Sequence, residues 1–87
     1  MGEDILSIVN NTDLDRIVAI VQATGKLSGI DPDEDFYDAG FSSINALQLL
    51  MELEDAFGVA IPDDQFVTAR TCASLHSLIA QLAQGTV

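Results

Sequence analysis

The sequence predicts an all-α fold: a small four-helix bundle with three main helices, one short helix and a long loop between the first two. Three stretches repeat apolar residues with the period of an amphipathic helix. Apolar residues rarely alternate with period 2, which disfavours a sheet. The chain has 87 residues, 48% of them hydrophobic, so it can bury one modest core. We therefore expect residues 1–87 to form a single domain.

The first predicted helix spans roughly residues 13–24. Its apolar residues follow the spacing i, i+3, i+4, i+7: Leu14, Ile17, Val18 and Val21. Thr12, with Asp15 three residues later, resembles a capping box that uses Asp in place of Glu. Gly25 and Lys26 predict the end, because Gly tolerates left-handed backbone and Lys favours the negative end of a helix.

Two neighbouring segments are less regular. Residues 4–9 could form an extra turn or a separate short helix, and the sequence does not decide between them. Residues 26–41 contain Pro32, Gly29, Gly40 and five acidic side chains, which predicts a long loop. Loops of this length inside a small domain are often functional. We expect four apolar residues to pin it to the helices: Leu27, Ile30, Phe36 and Phe41.

The second helix is predicted to begin near Ser42, a residue type that caps helices well, and to end before Gly58. Its apolar stripe is expected to face mainly the core and comprises Ile44, Leu47, Leu50, Met51 and Phe57, with Leu53 beside it. We expect Leu49 and Met51 to lie on the exposed edge of this stripe.

A turn at residues 61–64 leads into the short helix, with Pro62 acceptable at a first helical position. Thr71 is the predicted cap of the last helix, and Gly85 its end. The apolar residues of that helix again have the spacing i, i+3, i+4, i+7: Leu75, Leu78, Ile79 and Leu82.

Charge and composition exclude several classes of function. The chain has 14 acidic and 3 basic side chains, for a net charge of −11. This charge argues against binding to nucleic acid or to anionic membranes and favours partner proteins with basic patches. No apolar stretch is long enough to span a membrane, and the acidic start does not resemble a secretory signal. We expect a cytoplasmic monomer without an internal disulfide, since Cys72 is the single cysteine.

The two serines at the start of the second helix are the candidate site. The start of a helix has unpaired N–H groups and the positive end of the helix dipole, which together favour a phosphate group. Gly40 allows a sharp turn just before it. A phosphodiester on Ser43 would therefore be stabilised and would project into solvent. Local physics alone favours a plain helix cap and does not distinguish Ser43 from Ser42.

The surrounding pattern resembles the acyl carrier protein family, whose domains bind phosphopantetheine. Asp38, Gly40 and Ser43 match the family's Asp, Gly and Asp-Ser-Leu pattern, with Ile44 in place of Leu. The resemblance covers about residues 12–84. It continues through Leu47, Leu50, Met51, the acidic run at residues 52–55, Phe57 and the Ile-Pro-Asp at residues 61–63.

This resemblance implies that Ser43 Oγ is the attachment point of 4′-phosphopantetheine, moved from coenzyme A by a phosphopantetheinyl transferase. The thiol of the arm would hold acyl cargo as a thioester, and the bundle interior could shelter it. The chain would be a carrier without catalytic residues of its own. It would serve loading ligases and synthase or transferase enzymes of fatty-acid, polyketide or specialised lipid synthesis.

The resemblance also implies a partner-binding surface around Ser43. The expected residues are Asp38, Phe41, Ser42, Ile44, Asn45, Gln48, Leu49 and Glu52. Ser42 replaces the usual Asp, which makes Ser42 the alternative site of modification. Asn45 and Gln48 replace acidic residues of fatty-acid carriers, which favours a dedicated carrier. Ten of the 14 acidic residues lie between residues 27 and 69, and none lies within residues 42–51, so acidic side chains flank a neutral surface.

Two other functions remain open at this stage. One is an aminoacyl or peptidyl carrier loaded by an adenylating ligase, and the other is an acidic interaction module without a prosthetic group. A calcium loop at Asp31, Asp33 and Asp35 is disfavoured, because Gly and Glu are missing where such a loop needs them. His76 lacks partners at metal-ligand spacing, so no metal site is predicted. Cys72 is expected to pack in the core.

Overall fold

A computed structural model describes the backbone of residues 2–84 and the side chains of residues 13–83. Four α-helices and one short 3₁₀ helix follow one another along the chain: α1 (Gly2–Gly25), the 3₁₀ helix (Ser43–Asn45), α2 (Ala46–Phe57), α3 (Asp63–Phe66) and α4 (Cys72–Gln84). Within the described residues there is no strand, only one isolated antiparallel bridge between Asp35 and Thr71. The predicted all-α bundle, with one short helix and a long first loop, is confirmed.

The first helix is longer than predicted. α1 runs back through residues 4–9 to Gly2, so Thr12 lies inside the helix and does not cap it. Asn10, Asn11 and Thr12 are weak helix formers, yet none of them blocks the helical hydrogen bonds as Pro would. The predicted start at residue 13 was therefore wrong, and the alternative of a separate short helix is excluded.

The end of α1 uses Lys26 as its left-handed residue. The φ angle of Lys26 is 57°, and the next amide, of Leu27, donates to the carbonyl oxygen of Gln22 at 2.9 Å. Gly25 is still helical, but its lack of a side chain serves packing, because the Phe41 ring occupies the place where a Cβ would lie. The position of the helix end was correct, and the roles assigned to Gly25 and Lys26 were not.

The core joins the helices to the long loop. α1 packs against both α2 and α4. Among the described side chains, thirteen hydrophobic residues form the buried cluster: Ile17, Val21, Phe36, Phe41, Leu49, Leu50, Leu53, Ile61, Phe66, Ala69, Cys72, Leu75 and Ile79. Leu27 and Ile30 of the loop are half-buried against this cluster. The four loop residues predicted to pin the loop are thus all in contact with the core.

The predicted caps of the later helices are present. Gly58 ends α2 in the left-handed conformation, and its amide donates to Glu54 O at 2.8 Å. Pro62 is the N-cap residue of α3, one position before the first helical position predicted for it. Thr71 and Ser74 cap α4 reciprocally, since each backbone amide donates to the other's hydroxyl oxygen, at 3.1 and 3.0 Å. This is a capping box with Ser in place of Glu. The predicted end at Gly85 lies outside the described residues.

Candidate functional site

The two candidate serines lie at the entry to α2 and have different surroundings. Ser42 has extended backbone, and its Oγ accepts a hydrogen bond from the Ile44 amide at 3.2 Å. Its carbonyl oxygen accepts from the Asn45 amide at 3.0 Å. Ser42 is therefore the N-cap of the 3₁₀ helix, as its residue type predicts.

Ser43 is the first residue of the 3₁₀ helix and is exposed to solvent. Its carbonyl oxygen accepts from the Ala46 amide, so its backbone belongs to the helical entry. Among the residues whose side chains the structure describes, none forms a hydrogen bond with Ser43 Oγ. The Ser43 hydroxyl is thus accessible to an enzyme, whereas the Ser42 hydroxyl is engaged in the hydrogen bond that caps the helix.

The loop before the serines is fixed by Phe41. The Phe41 side chain is 3% exposed, and its amide donates to Phe36 O at 2.9 Å. Gly40, with a φ of 117°, makes the turn that brings Phe41 under the surface. Few residues other than Gly adopt this backbone conformation. The buried Phe41 therefore fixes the position from which the chain continues to the exposed Ser42 and Ser43.

Phe41 belongs to a cluster of three aromatic rings. The ring centres of Phe36 and Tyr37 are 4.8 Å apart, and Phe41 lies edge-on to both at 5.4 and 5.7 Å. Such tilted and edge-to-face pairs are favourable arrangements of aromatic side chains. Partial burial raises the pKa of the Tyr37 hydroxyl. The cluster is a rigid centre of the loop, and its last member, Phe41, lies two residues before Ser43.

Asp35 stabilises the loop through one ion pair and two hydrogen bonds with backbone amides. Its Oδ2 accepts a hydrogen bond from Arg70 Nε at 2.6 Å, and its Oδ1 accepts from the amides of Tyr37 at 2.9 Å and Asp38 at 3.1 Å. The hydrogen bond from Arg70 is the largest influence on this carboxyl and holds its pKa below the ordinary value. Asp35 is therefore committed to shaping the loop, which leaves it unsuited to the calcium loop considered above.

An exposed apolar surface follows Ser43 along α2. Ile44, Leu47 and Met51 are 88%, 65% and 59% exposed, which is unusual for large apolar side chains in so small a domain. A shallow groove contains these three side chains, and its remaining lining is polar and acidic: Gln48, Glu52, Glu54 and Asp55. We call Ile44, Leu47 and Met51 the apolar patch.

Two of the predicted partner-binding residues are in the core. Leu49 is 0% exposed and Phe41 nearly so, and neither side chain is available to a partner. Leu49 faces the core because it lies on the opposite side of α2 from Leu47 and Met51. Asp38, Ser42, Ile44, Gln48 and Glu52 are exposed, and Asn45 is half-buried. The predicted core positions of Ile44 and Leu47 were wrong, whereas the exposure of Met51 was correct.

Other candidate groups lie away from this surface. Cys72 is fully buried, as expected, and burial raises the pKa of its thiol to about 11. His76 is half-buried in α4. Within the described part of the chain, no group of three or more His, Cys, Asp or Glu side chains is placed to hold a metal ion. Nor does any described helix combine the length and the apolarity needed to cross a membrane.

Comparison with known proteins decides the family. A family model described as "Phosphopantetheine attachment site" matches residues 15–81, most of the chain. The chain belongs to the acyl carrier protein family. The resemblance found in the sequence is thereby confirmed, and with it the prosthetic group, because the domains of this family carry a covalently attached phosphopantetheine. They are carrier domains that interact with phosphopantetheinyl transferases and synthase enzymes.

Two curated relatives of this carrier domain are acyl carrier proteins. The mitochondrial acyl carrier protein of Dictyostelium discoideum is 30% identical over 67 residues, which are 75% of this chain and 56% of that protein. The chain thus matches little more than half the length of that relative. The acyl carrier protein of Rickettsia bellii (strain RML369-C) is 31% identical over 77 residues, covering 86% of this chain and 90% of that protein.

Two solved structures share the fold of the carrier domain. BlmI, a type-II acyl carrier protein from Streptomyces verticillus involved in bleomycin biosynthesis, superimposes with a TM-score of 0.76 at 22% identity, over 85% of this chain and 89% of that one. The acetyl actinorhodin acyl carrier protein from Streptomyces coelicolor gives a TM-score of 0.62 at 30% identity, over 87% and 92% of the two chains.

Proposed function

We propose that this chain is an acyl carrier protein whose Ser43 hydroxyl carries the 4′-phosphopantetheine arm. One observation supports Ser43 over its neighbour. The Ser42 hydroxyl accepts the Ile44 amide and so caps the helix, whereas Ser43 Oγ is exposed and has no hydrogen-bond partner among the described residues. Modification of Ser43 would leave the cap intact, whereas modification of Ser42 would compete with it.

The surroundings of Ser43 suit an attached phosphodiester. The 3₁₀ helix and α2 follow each other without a break, and neither has an acidic residue in its first turn. The positive end of the helix would therefore stabilise a phosphate attached to Ser43, and no carboxylate in the first turn of either helix would oppose it. The terminal thiol of the arm supplies the thioester chemistry, and the chain contributes an exposed hydroxyl in a fixed position.

Intact mass spectrometry tests the site. The folded chain is incubated with coenzyme A and a broad-specificity phosphopantetheinyl transferase, and we expect a mass gain of one phosphopantetheine. Ser43→Ala should abolish the gain, and Ser42→Ala is the matched control that should retain it. Loss of the Ser42 cap costs about 1 kcal/mol, so the folding of both variants is checked by circular dichroism. A gain that survives Ser43→Ala and disappears in Ser42→Ala would move the site to Ser42.

The apolar patch, with the acidic residues along its groove, is proposed as the surface that partner enzymes dock on. Ile44, Leu47 and Met51 offer apolar area, and Glu52 and Asp55 beside them offer negative charge to a basic partner. Asp38, Ser42, Asn45 and Gln48 complete this surface, and the buried Phe41 and Leu49 act only from beneath it. The acidic edge can attract a basic partner, and the neutral and apolar side chains can select among partners by their fit.

Loading assays test the docking surface and the cargo together. Met51→Ala should raise the KM of a cognate loading enzyme without lowering stability, while Val67→Ala is a control at an exposed apolar residue outside the patch. Loading should weaken as salt rises, since the screening length is about 10 Å at 0.1 M. Equal effects of the two variants would refute the surface. Loading with an acyl group supports the proposal, and exclusive loading by an amino-acid-adenylating ligase would instead identify an aminoacyl carrier.

A further inference from the structure

One arginine ties the loop that precedes Ser43 to the start of α4. Arg70 Nε donates to Asp35 Oδ2 at 2.6 Å, and the guanidinium carbon lies 4.7 Å from the centre of the Tyr37 ring. The carbonyl oxygen of Arg70 accepts from the Phe36 amide at 3.0 Å. A single residue thus holds three consecutive loop residues by an ion pair, a cation–π contact and a backbone hydrogen bond.

These contacts continue toward Ser43 without interruption. The Asp35 carboxylate accepts the amides of Tyr37 and Asp38, so its orientation sets the turn that follows. Phe36 accepts the amide of Phe41, and the rings of Phe36, Tyr37 and Phe41 pack on one another. Phe41 is two residues before Ser43. Each step in this series is a direct contact, and the series begins at Arg70.

The charges of the loop make this tie more important. Asp31, Asp33 and Glu34 precede Asp35, and Asp38 follows it, so the loop repels itself. Apart from Arg70, no other Lys or Arg follows Lys26 in the sequence. The pairing of Arg70 with Asp35 offsets part of the repulsion at the place where the loop meets the core. Removing it leaves the five carboxylates of residues 31–38 without the guanidinium that pairs with Asp35.

We propose that Arg70 is a positioning residue for Ser43. It holds residues 35–41 in the arrangement that presents the Ser43 hydroxyl to phosphopantetheinyl transferase, and it acts through Asp35 and the aromatic cluster, not by contact with coenzyme A. The inference rests on the proposed attachment at Ser43. Arg70, which is 27 positions from Ser43 in sequence, is then a determinant of phosphopantetheine transfer to Ser43.

The chain contains a matched control for this role. Arg16 Nη2 donates to Ala56 O at 3.1 Å, and its guanidinium carbon lies 4.6 Å from the Phe57 ring centre, so it ties α1 to the end of α2. Arg16→Gln and Arg70→Gln each remove one positive charge, one side-chain hydrogen bond and one cation–π contact. The two variants differ in whether the lost contacts lead to Ser43, and Arg70→Gln in addition loses an ion pair.

Transferase kinetics with saturating coenzyme A and varied carrier distinguish the two. We expect Arg70→Gln to lower kcat/KM by about tenfold or more, as small displacements of a reacting group do, and Arg16→Gln to stay within about twofold of the wild type. Asp35→Asn should resemble Arg70→Gln, and the double variant should lose little more than either single one, because both changes break the same contact. Arg70→Lys, which keeps the charge but not the planar stacking on Tyr37, should be intermediate.

Hydrogen exchange shows whether the loop alone becomes looser. A residue that only stabilised the whole bundle would change the exchange of α4 as well. In Arg70→Gln the amides of Phe36, Tyr37 and Asp38 should exchange faster while those in the middle of α4 do not. Normal kcat/KM or unchanged loop exchange in folded Arg70→Gln would overturn the positioning role, as would an equal loss in Arg16→Gln. A wild-type chain that gains no phosphopantetheine would instead refute the proposed function itself.

Discussion

Replacing Gly25 with Ala is expected to destabilise the protein, although helix propensity predicts the opposite sign. Gly25 is the last residue of α1. A Cβ added there would overlap Phe41 Cδ2 and lie 3.0 Å from Cε2 and 3.2 Å from Cγ of the same ring. Real Cβ atoms are seldom this close to another side chain, so either the ring or the helix end must move.

The magnitude follows from two opposing effects. Ala in place of Gly in a helix is worth up to about 1 kcal/mol. Overpacking a filled core costs about 1–3 kcal/mol, and the ring of Phe41 cannot turn away because Phe36 and Tyr37 contact it. We expect a net loss of about 1–2 kcal/mol. In a domain of this size each kcal/mol lowers the Tm by roughly 4–8 °C.

Urea unfolding followed by far-UV circular dichroism measures this loss. Gly29→Ala is the control, because no heavy atom outside Gly29 and its two chain neighbours lies within 4 Å of the added Cβ, and its effect should stay within about 0.5 kcal/mol. In a Phe41→Leu background, where the ring is gone, Gly25→Ala should be neutral or stabilising. The reasoning fails if Gly25→Ala raises the urea midpoint of the wild type, or if it destabilises both backgrounds equally.

Three further predictions use the same unfolding assay or simple labelling. The pKa of Asp35 is lowered in the folded state, so its charged form adds stability above the unfolded-state pKa near 3.8 and this is lost as pH falls through the folded value. The urea midpoints of wild type and Asp35→Asn should therefore differ at neutral pH and converge well below pH 3.8. Thr71→Ala removes half of the α4 capping box and should cost about 1 kcal/mol, whereas an unchanged midpoint would contradict the cap. Burial raises the pKa of the Cys72 thiol to about 11, so a thiol reagent at mildly alkaline pH should label the unmodified chain only in denaturant. Native labelling would show that the thiol is accessible.

The helical periodicity located α2 but could not say which of its faces is buried. Ile44, Leu47 and Met51 form one apolar stripe, and Leu49 and Leu53 belong to another, both with helical spacing. The structure buries the second and exposes the first. Only contact with α1 and the loop decides the orientation.

The loop shows a similar division. Its composition predicted its length and its anchoring residues, because Pro, Gly and acidic residues disfavour regular structure and large apolar ones seek the core. The sequence did not predict the pair of Asp35 and Arg70, since the two residues are 35 positions apart and no local spacing rule joins them. For the site itself, residue types predicted a helix cap, and only the resemblance distinguished Ser43 from Ser42.

The small size of the apolar patch has a consequence for how long a partner stays. Differences in affinity between related complexes arise mostly from dissociation rates. On the proposed docking surface, three exposed side chains would give an enzyme little apolar area to hold. The net charge of −11 affects the association rate, because long-range attraction speeds the first encounter with a basic surface. A carrier that serves several enzymes in turn must reach each one quickly and leave it quickly. If partners dock on the apolar patch as proposed, the charge of the whole chain would speed arrival and the narrow contact would allow rapid departure.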